Sequence, residues 1–161
     1  MNIRLSTLVV SSAAAIAALS IHPAQAATGS TNFDVSIQVN ATCAISASNM
    51  AFGSITTGTT SNSDATSTLT VNCSNGTPYT ISLGNGNNYS GGRRMTNGTT
   101  NINYFLYSDS NRSTLWTQTS TQSGTGNGGD QSLTIYGRVP SGQSVPYTGS
   151  YNDTVVATIT Y

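Results

Sequence analysis

Hydrophobic and polar positions alternate without a break from Phe33 to Ile45. Phe33, Val35, Ile37, Val39, Ala41, Cys43 and Ile45 share one parity, and Asn32, Asp34, Ser36, Gln38 and Asn40 share the other. Side chains along a strand point alternately to opposite faces, so the pattern predicts one amphipathic β-strand. At this length the strand would run roughly 40 Å, about twice the usual span. A domain of this size has little room for it. Either the strand overhangs its sheet, or its two halves do different work.

The same period recurs downstream. Strands are predicted over Met50 to Thr56, Ser67 to Cys73, Tyr79 to Leu83, Asn101 to Ser108, Leu133 to Val139 and Thr154 to Tyr161. The stretch "NINYFLYS" from Asn101 carries apolar residues on both faces, which predicts a central strand covered on two sides. The last strand places Val155, Ala157, Ile159 and Tyr161 on one face. Polar, Gly-rich runs separate the strands: "TTGTTSNSD", "GNGNNYSGGRRMTNGTT" and "QSGTGNGGD". No helical period is sustained outside the N-terminal leader, and no internal repeat or linker interrupts the chain. Short strands at regular spacing predict an all-β sandwich. About six strands follow the opening one, and an immunoglobulin-type sandwich needs about seven. A spare strand at the start and a missing strand elsewhere point to exchange of strands between molecules, a known mode of strand addition.

The leader has the form of an export signal. Arg4 precedes an apolar run from Leu8 to Ile21, and Ala24-Gln25-Ala26 forms an A-x-A cleavage site. A signal peptide is therefore expected over 1–26. The run is too short for a membrane anchor, and the remaining length suits one domain.

Composition narrows the chemistry. Charged residues make up 6% of the chain, all acids are Asp, and neither Lys nor Glu occurs. The net charge is zero, which gives nucleic acid no electrostatic footprint. The single His lies in the leader, so no Ser-His-Asp or Cys-His device can be built and no catalytic residues are assigned. The aspartates fall in turn-like contexts, Asp153 among them before the last strand. Neither a metal site nor a cofactor is expected. Cys43 and Cys73, in an exported chain, predict a disulfide worth roughly 3–4 kcal/mol in the chain-entropy model. Arg93-Arg94 is expected at a solvated loop tip. Trp116, Tyr89 and Tyr147 are expected in core or interface packing, with a sugar-stacking platform as the sharper alternative.

The C-terminal run "YGRVPSGQSVPYTGSYNDTVVATITY", Tyr136 to Tyr161, resembles the signature of the spore coat protein U domain family, which includes subunits of Csu-type archaic chaperone–usher pili. The alternating N-terminal strand before a Cys, the Phe52-Gly53-Ser54-Ile55 segment and the "LTVNC" strand agree with it. The resemblance implies an incomplete immunoglobulin-like β-sandwich of pilin type, completed by an N-terminal donor strand from a neighbouring subunit. It implies a donor segment over 27–38 and a pilin-like domain over 39–161. The donor positions would be Phe33, Val35, Ile37 and Val39. The acceptor groove and chaperone-binding strand would include Val155, Ala157, Ile159 and Tyr161. Expected partners are identical or related subunits, a periplasmic chaperone and an outer-membrane usher. The expected destination is the cell surface, with a shaft or adaptor role in adhesion and biofilm formation. A non-fimbrial spore or cell coat protein is the alternative, and a sugar-binding surface module a more distant one.

Overall fold

In a computed structural model the described residues are 24–56 and 60–161. The expected signal peptide lies almost wholly outside them. The chain divides between Ile37 and Gln38 into two units. In the first, residues 24–37 carry no helix or strand and are exposed.

The second unit is all-β among the described residues, with nine strands: β1 (Cys43–Ala47), β2 (Ser63–Cys73), β3 (Pro78–Leu83), β4 (Arg94–Thr96), β5 (Asn101–Asn103), β6 (Phe105–Tyr107), β7 (Gln122–Thr125), β8 (Asp130–Val139) and β9 (Ala157–Thr160). One sheet has the order β1-β2-β8-β6, a second β7-β3-β9, and β4 pairs with β5. All pairings are antiparallel. Leu69, Val71, Leu106, Ile135 and Val139 of the first sheet meet Tyr79, Ile81 and Leu83 of the second in one core with Trp116, Ile102 and Tyr104. This is an immunoglobulin-like sandwich architecture, two sheets packed through their apolar faces.

The long opening strand forms only at its C-terminal end, as β1. Residues 33–41 have no ladder partner among the described residues, and a strand without one leaves its backbone groups and apolar row to water. Met50 to Thr56 is not a strand either. Met50, Phe52 and Ile55 nonetheless pack against the core, with Met50 and Phe52 lying over Gly137, where a Cβ would collide with both. The expected central strand from Asn101 to Ser108 is broken at Tyr104. Its halves join different sheets, β5 with β4 and β6 with β8. The switch is fixed locally: the Tyr104 backbone N–H donates to the Arg93 carbonyl, and the Gln143 amide both accepts from the Asn103 N–H at 2.7 Å and donates to its carbonyl at 2.9 Å.

Two Gly-rich runs read as loops contain strands. "QSGTGNGGD" holds β7, and "GNGNNYSGGRRMTNGTT" holds β4. The second run also corrects the expectation for Arg93. Its side chain is buried at 7% exposure, not at a solvated tip. Nε donates to the Gly84 carbonyl at 2.8 Å, Nη1 to Trp116 at 2.9 Å and Nη2 to Leu83 at 2.7 Å. Burial pulls its pKa down from the usual guanidinium value. Trp116 is likewise buried, its indole N–H donating to the Ile81 carbonyl at 2.9 Å. Buried, it cannot share an exposed stacking face with Tyr89 and Tyr147.

Candidate functional site: an open seam between edge strands

β9 is hydrogen-bonded to β3 on one side only, and β1 to β2 on one side only. The two strands lie against each other without pairing. The sandwich is thus unclosed along the seam where its two sheets meet at this flank. Burial shows the consequence. Inward residues under full cover, Leu69, Val71, Ile81 and Leu83, are at most 1% exposed. Cys43 and Ile45 on β1, and Val155, Ala157 and Ile159 along the last segment, have the same inward parity and are only half-buried. Tyr161 is 59% exposed. An apolar row with one layer of cover and a free strand edge beside it is the geometry that accepts an added strand.

At the end where the chain enters the last strand, a cavity of about 810 Å³ opens among Met50, Phe52, Ile55, Met95, Val145 and Tyr151. The approach to this strand is pinned from a distance. Asp153 was expected to fix a local turn, but its carboxylate joins segments far apart in sequence. Oδ1 accepts from the Asn88 backbone N–H at 3.2 Å and its side-chain amide at 3.1 Å, and Oδ2 accepts from the Tyr104 hydroxyl at 2.6 Å. Burial first, and this hydrogen bond second, push the Tyr104 phenol well above its ordinary pKa. Gly86, at φ +86°, lies against Asp153, where any Cβ would collide with the carboxylate. The Gly84 N–H then donates to the Val156 carbonyl at 2.8 Å, and β3 zips to β9 from Leu83↔Ala157 to Thr80↔Thr160. The "NGN" and "YND" stretches carried the only sequence signal for this contact, as turn-formers.

Facing β9, β1 is fastened at its first residue. Cys43 and Cys73 are directly opposed in the β1–β2 register, with Cα atoms 4.1 Å apart, and form a disulfide. One residue earlier, the Ser74 N–H donates to the Thr42 carbonyl at 2.9 Å, and the Thr42 N–H to Ser74 Oγ at 3.1 Å. Upstream of this fastening, Phe33, Val35, Ile37 and Val39 are 82%, 83%, 90% and 86% exposed. Apolar side chains in such a row are seldom left to water unless they have a docking function. No cluster of three or more His, Cys, Asp or Glu able to hold a metal ion occurs among the described residues.

Comparison with known proteins places these features. The Spore Coat Protein U domain model matches residues 30–158. The chain is 37% identical over 181 residues to Protein U of Myxococcus xanthus, covering 98% of this chain and 98% of that protein. Its fold is similar to that of a chain in the CsuC-CsuE chaperone–tip adhesion subunit pre-assembly complex from archaic chaperone-usher Csu pili of Acinetobacter baumannii. There the TM-score is 0.59 at 23% identity, covering 76% of this chain and 40% of the solved one. The chain thus spans well under half of that solved chain. With a family match across nearly the whole sandwich and a relative alike from end to end, the chain belongs to the spore coat protein U domain family.

Proposed function

We propose that the protein is a structural subunit of a chaperone–usher pilus and polymerises by donor-strand exchange. The family and the fold are those of structural subunits and not of enzymes. One observation carries the reading: four alternating, exposed apolar side chains, Phe33 to Val39, precede a sandwich whose seam between β1 and β9 is open. In the fibre, the segment 27–38 of one subunit enters the seam of the next. It sets its apolar row over Val155, Ala157 and Ile159 and pairs with a free edge. Before assembly a periplasmic chaperone supplies the strand, and an outer-membrane usher directs the exchange. The leader over 1–26 brings the chain to the periplasm, and the fibre ends at the cell surface in adhesion and biofilm formation. Its place in the fibre on this reading is a shaft or adaptor position.

The test is deletion of Thr28 to Ile37. The variant is expected to be exported but to form no fibres by electron microscopy. Fibres of normal abundance from it would overturn the proposal.

A second reading is favoured by a different observation, the 37% identity to Protein U of Myxococcus xanthus along its whole length. On that reading the same strand exchange builds a non-fimbrial coat over a spore or cell. Immunogold labelling separates the two, since a coat gives a continuous layer and a pilus gives discrete filaments. Chaperone and usher genes beside this one favour the pilus.

A further inference from the structure

We propose that the Cys43–Cys73 disulfide is a tension bypass, carrying pull from the N-terminal segment past β1, one wall of the seam, and into β3. The inference rests on the donor-strand reading above. In a fibre joined that way, each subunit is pulled through its own N-terminal segment, which is anchored in a neighbour, and the pull enters at Thr42.

β1 alone is a poor anchor. It is a five-residue edge strand, paired on one side only. A pull on the first pair of an antiparallel ladder loads its hydrogen bonds one after another, so the strand peels. In this chain the first pair is Cys43↔Cys73, and it is covalently closed. The Thr42–Ser74 hydrogen bonds brace the residue ahead of it. Pull therefore crosses the disulfide to Cys73, which is wholly buried in the core. From there it follows Ser74 into β3, the strand hydrogen-bonded to β9. The backbone from 44 to 72 lies inside the closed loop, out of the direct path. That loop carries Ile45 of the seam and Met50, Phe52 and Ile55 of the adjoining cavity. The β1 side of the seam is thus off the covalent path, and the load reaches the incoming strand through β3 and β9.

The experiment is single-fibre pulling on assembled fibres of the full chain, before and after reduction in place with a phosphine. Thiol labelling verifies cleavage of the bond. Forced unfolding reports the barrier along the pulled path. The first unfolding events of reduced fibres are expected at clearly lower force than those of the oxidised fibres. Where reductant does not reach the bond, the Cys43→Ala/Cys73→Ala double variant replaces it. Fibres of Leu106→Ala, a buried core position on β6 outside both the closed loop and the β3–β9 path, should keep most of their unfolding force. An unchanged force after verified cleavage overturns the proposal, as does a loss in Leu106→Ala as large as that on reduction. Failure of the unaltered chain to form fibres, seen by microscopy before any pulling, overturns the donor-strand reading and this proposal with it.

Discussion

Three carbonyl groups, from Leu83, Gly84 and Trp116, converge on the guanidinium of Arg93. They belong to the end of β3 and to the loop after β6, so one side chain ties two turns of the sandwich together. Hydrogen bonds to a charged donor are worth about 1.5–3 kcal/mol, and a buried carbonyl left alone costs about 1–3 kcal/mol. Arg93→Met should therefore lose about 3 kcal/mol or more, read as a lower urea midpoint at unchanged slope. The neighbouring Arg94 spends its Nε on the Asn88 carbonyl at 3.0 Å, at half-buried cover. Nothing in the dipeptide distinguishes the two arginines, because burial is set by which face of the chain turns inward. Asp64 works at the surface. It accepts a bidentate pair from Arg138 at 2.7 and 2.8 Å and lies 3.4 Å from Arg112. The Arg138 hydrogen bond, above all, holds its carboxyl below the ordinary value of 3.8. A depressed carboxylate stabilises the fold at pH above its unfolded value, and the contribution is lost as pH falls through the folded one. Exposed pairs give at most about 1 kcal/mol. Asp64→Asn should lose about that much at neutral pH, and the difference should vanish in acid, as followed by unfolding at stepped pH.

Among the elements, the proposed function gives β9 the deciding role in taking up a strand. It is short and paired on one side, and its inner row is half-buried. A carboxylate in that row would stay solvated in the free subunit but be desolvated once a strand covered it. Ile159→Asp is therefore expected to leave the sandwich folded and exported while fibre yield falls at least about tenfold, since a desolvation cost of only about 1.4 kcal/mol suffices for that factor. Circular dichroism and electron microscopy check the two halves of the prediction. The periodicity of this strand was plain in the sequence, as were β2, β3 and β8, because each carries a clean period of two over one buried face. β4 and β7 were not legible. They are three and four residues long, polar and Gly-rich, and they exist because a neighbour offers a ladder. The break at Tyr104 was hidden for the opposite reason. An unbroken apolar run shows that both sides are covered, but not that the cover changes sheets midway.

At the scale of the whole molecule, the proposed function makes the chain short of one strand and leaves it carrying the one that a neighbour needs. Joining a copy of the segment from Thr28 to Val39 behind Tyr161, through a short flexible linker, and removing the original should close the seam from within. The product is expected to be monomeric by light scattering and to melt at least about 5 °C above the deletion variant, since each recovered kcal/mol moves the midpoint by about 4–8 °C in a domain near this size. A graft that melts no higher than the deletion variant would mean that the segment does not fit its own seam.

The sequence by itself determined the class of fold, the position of the disulfide and the row of apolar side chains ahead of it. Each of these depends on local period, spacing or redox compartment, which a linear pattern records. Tertiary structure alone decided where that row stops being a strand, which edges stay unpaired, and that Arg93 and Asp153 tie distant segments together. Those outcomes depend on which partner each backbone group finds. For Phe33 to Val39 no such partner stands among the described residues, which is the physical reason a well-patterned strand remains unformed in the single chain.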